Sequence, residues 1–129
     1  MHYSNIIRLR RTERNGANFM KQYRIDELRP MDYEKIKAYL DERFGSSQME
    51  GVYWVPLDAD LLDEVQAAHA DCQPFYFAVA LEGTMISFEF LIRTRNRVRC
   101  DCIHYANEAQ RDSIIVFADS IFERLKILT

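Results

Sequence analysis

Glycine is scarce in this chain. Its 129 residues include four, and none stands in a Gly-rich turn between a strand and a helix, which removes the phosphate cradles of nucleotide-binding folds. No apolar run approaches the ~20 residues that a membrane-spanning helix needs. The N-terminus has no continuous hydrophobic stretch either, because Asn5-Ile6-Ile7 gives way at once to Arg8, so a secretory leader is not expected. Cysteine is limited to three residues, an odd number that cannot all pair within one chain. Together with the missing leader, this points to a reducing cytoplasmic setting and free thiols. Strong positive charge is also missing. The net charge is −3, whereas nucleic-acid binding requires a basic face to neutralise phosphates. No Ser-His-Asp order with a nucleophile elbow occurs, and no reaction can be named.

What is present describes an ordinary compact domain, with 48% hydrophobic and 29% charged residues, large enough to bury a core without staples. Residues 1–19 stand apart. Arg8, Arg10, Arg11 and Arg14 against Glu13 give this arm +3, leaving residues 20–129 with 13 basic against 19 acidic side chains, or −6. Such an arm suits an acidic partner or a membrane surface, but loosely attached termini are common. Met20 is also a candidate true start, because Gly16-Ala17 can be encoded by a purine-rich GGAG run just upstream. The single α+β domain is therefore assigned to residues 20–129.

Within it, Gln22 to Leu28 gives a weak strand signal. Pro30 opens a helix, with Asp32 and Glu34 at its positive end, Ile36, Tyr39, Leu40 and Phe44 at helical spacing and Gly45 to stop it. Val52-Tyr53-Trp54-Val55 reads as a strand ended by Pro56. Asp58 or Asp60 can cap a second helix that places Leu61, Leu62, Val65, Ala68 and Cys72 along one side. Residues 74–106 read as a three-strand meander. A turn at Glu82-Gly83 would pair Val79 with Ile86, Phe77 with Phe88 and Phe75 with Phe90. A loop at Thr94-Arg95-Asn96 would pair Ile92 with Val98, Phe90 with Cys100 and Phe88 with Cys102. Both registers put one greasy face on the core. Asn107 and Gln110 fit the cap of a long final helix, whose stripe is Ile114, Phe117, Ala118, Ile121, Leu125 and Leu128, widened by Ile115 and Phe122. The expected fold is an α+β domain: an antiparallel sheet, the meander plus one or two further strands, covered on one face by helices. The element order is similar to that of small acidic secretion chaperones, a likeness of architecture that transfers no function.

Two groups of residues carry chemistry. His69-x2-Cys72 and Cys100-x-Cys102-x-His104 supply soft ligands suited to zinc, which is held tetrahedrally by Cys and His. On a strand, however, neighbours two apart are roughly 6.5–7 Å distant at Cα, and the register above points Cys100 and Cys102 at phenyl rings. The core reading is therefore favoured over a metal centre formed by His69, Cys72, Cys100 and Cys102. A Cys–His nucleophile lacks a recognisable orienting residue. Arg93, Arg95, Arg97 and Arg99 crowd one hairpin tip, where they either grip an anion or a partner, or keep an edge soluble. The favoured expectation is a non-catalytic binding or assembly module that forms homodimers, with a zinc or redox site including His104 as the alternative.

Overall fold

Six antiparallel strands and three helices make up residues 21–45 and 49–127, which are the residues a computed structural model of the chain describes. Residues 1–20, with the basic arm and Met20, lie outside that range, as does Leu128. The elements run β1 (Gln22–Ile25), α1 (Pro30–Phe44), β2 (Val52–Pro56), α2 (Glu64–Ala68), β3 (Phe75–Glu82), β4 (Met85–Glu89), β5 (Leu91–Thr94), β6 (His104–Tyr105) and α3 (Glu108–Arg124). Among the described residues no helix is long and apolar enough to cross a membrane.

β2 forms one edge of the sheet and β3 lies next to it. β4 and β5 follow end to end along the far side of β3, and the other edge is shared by β1 and β6. The alternation anticipated for β3 and β4 is present: Phe75, Phe77, Val79, Leu81, Ile86 and Phe88 are all buried on one face. The register differs in detail. Glu82 pairs with Met85, so Val79 meets Phe88 and Leu81 meets Ile86. Side chains alternate with period two, so this even-numbered slip keeps every phenyl ring on the core side.

The third strand of the meander is where expectation and structure part. β6 has two residues, and pairs Leu91 with Tyr105 and Ile92 with His104. Ile92 does not meet Val98, which is 91% exposed, and Cys100 and Cys102 do not oppose Phe90 and Phe88. The reason is competition for an edge. β1 already pairs with β4 from Ile86 to Glu89, and the Phe90 N–H donates to the Lys21 carbonyl at 2.9 Å. A returning strand finds free backbone only beyond Phe90, whose carbonyl accepts from the Ala106 N–H at 2.7 Å. Residues 95–103 consequently form a loop.

The second helix is also broken up. A 3-10 turn at Ala59–Leu61, the short α2 and another 3-10 turn at Ala70–Cys72 replace one continuous rod. Asp58 accepts from the Asp60 N–H and Asp63 from the Gln66 N–H, so side chains restart the backbone twice. Val65 is left 42% exposed. The other helices follow expectation. Pro30 opens α1, and Gly45 ends it at φ 80° with its N–H on the Asp41 carbonyl. Asn107 and Gln110 form the capping box of α3.

Both long helices pack on the phenyl face. Phe117 of α3 meets Phe44, Phe77 and Phe88 edge-on, with ring centroids 6.0, 5.8 and 6.2 Å away, the geometry aromatic quadrupoles favour. Of the residues that widen the stripe on α3, Phe122 lies inside this same core and Ile115 packs half-buried against it. Two tyrosines tether helices to strands: Tyr23 of β1 donates to Asp119 at 2.9 Å, and Tyr53 of β2 to Asp41 at 2.6 Å.

Candidate metal centre

The three cysteines converge. Cys72 and Cys102 are buried, Cys100 is half-buried, and their Sγ atoms all lie within 4.8 Å of one another. Each comes from a tight turn. The Cys72 N–H donates to the His69 carbonyl at 3.0 Å, and the Ile103 N–H to the Cys100 carbonyl at 3.0 Å. The spacing argument against a metal assumed an extended Cys100-Asp101-Cys102, in which the thiols could not wrap one point. A turn removes that obstacle. Its formation follows from the edge competition at Phe90, which prevents this stretch from becoming a strand.

Polar side chains hold both turns by their carbonyls. The Thr94 hydroxyl, at the end of β5, donates to the Cys72 carbonyl. Asn96 donates to the Asp71 carbonyl at 3.2 Å, and Gln66 to the Cys102 carbonyl at 3.2 Å. Gln66 is fully buried and partnered throughout: its Oε1 accepts from the Asp63 N–H at 3.2 Å and from Gln110 Nε2 at 2.9 Å. Gln110 also donates to the Leu61 carbonyl at 2.8 Å, and its Oε1 accepts from the Asn107 N–H at 3.0 Å. Each glutamine thus closes a capping box and joins the other, so the first turns of α2 and α3 and the Cys102 carbonyl form one buried network. Unsatisfied buried amides are costly, which makes such a network effective at fixing backbone.

Thiol electrostatics divide the cluster. Burial pushes Cys102 up to about 12, and the sulfurs of Cys100 and Cys72 add to this. Cys100 is held below its ordinary value, chiefly by the Cys102 backbone N–H, with the neighbouring thiols and His69 contributing. Cys100 therefore forms a thiolate more readily than Cys102, which keeps its proton at neutral pH.

His69 borders the same open cavity of about 410 Å³ as Cys72 and Cys100, together with Asp71 and Arg97. Its Nδ1 lies 2.6 Å from the Val65 carbonyl. That contact puts the proton on Nδ1 and leaves Nε2 as a lone-pair donor, the tautomer that ligating histidines use. His104 lies elsewhere. Its Nε2 pairs with Asp63 at 2.7 Å and its Nδ1 contacts the Tyr105 carbonyl at 3.0 Å, so neither ring nitrogen is free for a metal or a thiol.

The arginines separate as well. Arg93 belongs to β5 and bonds Glu89 at 3.2 Å, whereas Arg95, Arg97 and Arg99 are exposed in the loop rather than at a hairpin tip. Trp54 stands 6.2 Å from Tyr76 with perpendicular rings, and Arg93 and Arg95 cover it. This pairing escaped sequence reasoning; the alternation that puts Trp54, Tyr76 and Arg93 on one face could have signalled it. No family model matches the chain, and no curated protein or solved structure matches it either.

Proposed function

We propose that this protein is a small non-catalytic module organised by one zinc ion, held by Cys72, Cys100 and Cys102 with His69 as fourth ligand. The observation that carries this reading is the convergence of three sulfurs within 4.8 Å from two turns far apart in sequence. A zinc tetrahedron with Zn–S of about 2.3 Å has S···S edges of about 3.8 Å, so the thiols need only a small contraction to close on a metal. His-x2-Cys and Cys-x-Cys each sit on a hydrogen-bonded turn, and the open cavity beside Cys100 gives access. His69 borders the same cavity but is not among the ligand atoms that lie within 4.8 Å of one another, so its ring would have to turn in to close the sphere, as in a structural rather than a catalytic zinc. The metal would staple the 95–103 loop to the turn that follows α2.

Of the two residues that widen the stripe on α3, Phe122 is buried in the core and Ile115 packs against it half-buried, so the stripe offers less free surface for the expected self-association. The exposed large hydrophobics Met31, Met49, Val65, Val98 and Val116 are single residues on separate elements or loops. Such scattered residues are normal for a monomer.

Elemental analysis of protein purified without chelator tests the reading. About one zinc per chain is expected, lost in Cys100→Ser and weakened in His69→Ala, with fold checked by circular dichroism. Three freely titrating thiols in the folded protein, unchanged by added zinc, would falsify it.

A further inference from the structure

The sheet face turned away from the phenyl core carries a second constellation. Trp54 pairs with Ala78 and Tyr76 with Arg93, which places Trp54, Tyr76 and Arg93 on one side of the sheet. The Arg93 guanidinium lies 5.9 Å from the Trp54 ring centroid, and that of Arg95 lies 5.8 Å from Trp54 and 5.2 Å from Tyr76. Trp54, Arg93, Thr94, Arg95 and Arg97 line an open cavity of about 420 Å³.

Three properties of this cavity point to an anion. Arg93 is only partly neutralised: Nη2 bonds Glu89 at 3.2 Å, while Nε is buried with no hydrogen-bond partner among the described residues. Arg95 and Arg97 form no ion pair among the described residues, so Glu89 is the one carboxylate ion-paired to the three guanidiniums. Unlike a swinging lysine, two of these cations are already stacked on rings. Their rotamer entropy is spent before a ligand arrives, which lowers the cost of binding.

We propose that this cavity binds a phosphoryl group, carried by a small phosphate ester, between Arg93, Arg95 and Arg97. A phosphate monoester presents three terminal oxygens and up to two negative charges, enough to accept from several guanidiniums at once; a carboxylate satisfies one fork. The cavity exceeds what phosphate alone occupies and falls among small-molecule pockets of roughly 300–1,000 Å³, which leaves room for the ester's organic part beside Trp54. Arg97 also borders the cysteine cavity, but none of the cysteines borders this one, so anion binding here does not depend on the zinc reading.

Trp54 is the single tryptophan of the chain, so its fluorescence reports directly on this site. Titration of the purified protein with glycerophosphate should give a saturable change that weakens as salt is raised. The Arg95→Ala/Arg97→Ala variant should bind at least about tenfold more weakly, the loss of charge-assisted hydrogen bonds. Arg124→Ala, remote on α3, and Cys100→Ser should titrate like the parent; the latter separates binding here from extraction of metal at the cysteines. The proposal is overturned by no saturable response into the millimolar range, by an unaltered affinity in the double variant, or by citrate binding as tightly as glycerophosphate.

Discussion

The two halves of the segment from Phe75 to Ala106 are built on different principles. From Phe75 to Thr94 the backbone is held by strand ladders, and alternate side chains enter a phenyl core. From Arg95 to Ile103 there is no ladder. The loop is held by Thr94, Asn96 and Gln66 on turn carbonyls, and, under the reading proposed above, by a metal. The first half draws its stability from buried area, the second from a few directional bonds. Insults to one should therefore leave the other largely unaffected, and that expectation can be broken in three ways.

The largest effect is expected at Phe88, which is fully buried and meets Phe117 and Tyr23. Phe88→Ala should cost about 3–5 kcal/mol, as large-to-small core changes do. Chemical denaturation measures it, and the same loss should appear with zinc bound or chelated. A loss that vanished on zinc binding would show that the halves are not separable.

Gln66→Leu strikes the other half. It strands the Cys102 carbonyl and a donor of Gln110, for an expected cost of about 1–3 kcal/mol. Hydrogen exchange should show protection lost in residues 100–110 while β3 and β4 keep theirs, and zinc affinity should fall as well. Uniform loss across the sheet would mean that the glutamine pair braces the whole fold.

The smallest effect is a matter of sign. Without metal, Cys102 is raised from an ordinary value of 9.0 to about 12, so its neutral form is what folding buries. Stability from this source is complete below about 9.0 and is lost as pH rises towards about 12, because the unfolded thiol ionises first. With zinc the sign reverses at lower pH: metal capture releases the Cys102 proton, so affinity should rise about tenfold per pH unit for each proton displaced. Thermal melts from neutral to alkaline pH, with and without chelator, should therefore diverge. Parallel curves would dissociate Cys102 from the metal.

The same contrast explains what the sequence disclosed. Period-two alternation through Phe75, Phe77, Val79 and Leu81, and the cap signals at Pro30, Gly45 and Asn107, are local patterns that fold locally, and they were legible. The ladder register was off by an even number, which alternation cannot detect. The cysteine turn was not legible, because its conformation depends on β1 occupying the edge beside β4, some sixty to eighty residues earlier in the chain. Asp58 was visible as a cap, but Asp63, which caps α2, was not singled out as one, and nothing local says that two caps in succession divide a helix. Gln66 was not singled out and Gln110 read only as the cap partner of Asn107; their pairing exists only once α2 and α3 meet.

That pairing also imposes an order of events on the growing chain. Gln66 reaches Cys102 across 36 positions and Gln110 across 44, contacts whose loop-closure cost defers them until much of the chain has condensed. The last cysteine is synthesised before Gln110 and before all of the helix that Gln110 begins. A nascent chain thus displays all three thiols while the brace that shapes their turn does not yet exist. The thiol geometry matures only when α3 docks, so under the proposed zinc reading stable metal retention would be a late event, one that marks a finished molecule and sets it apart from an incomplete one.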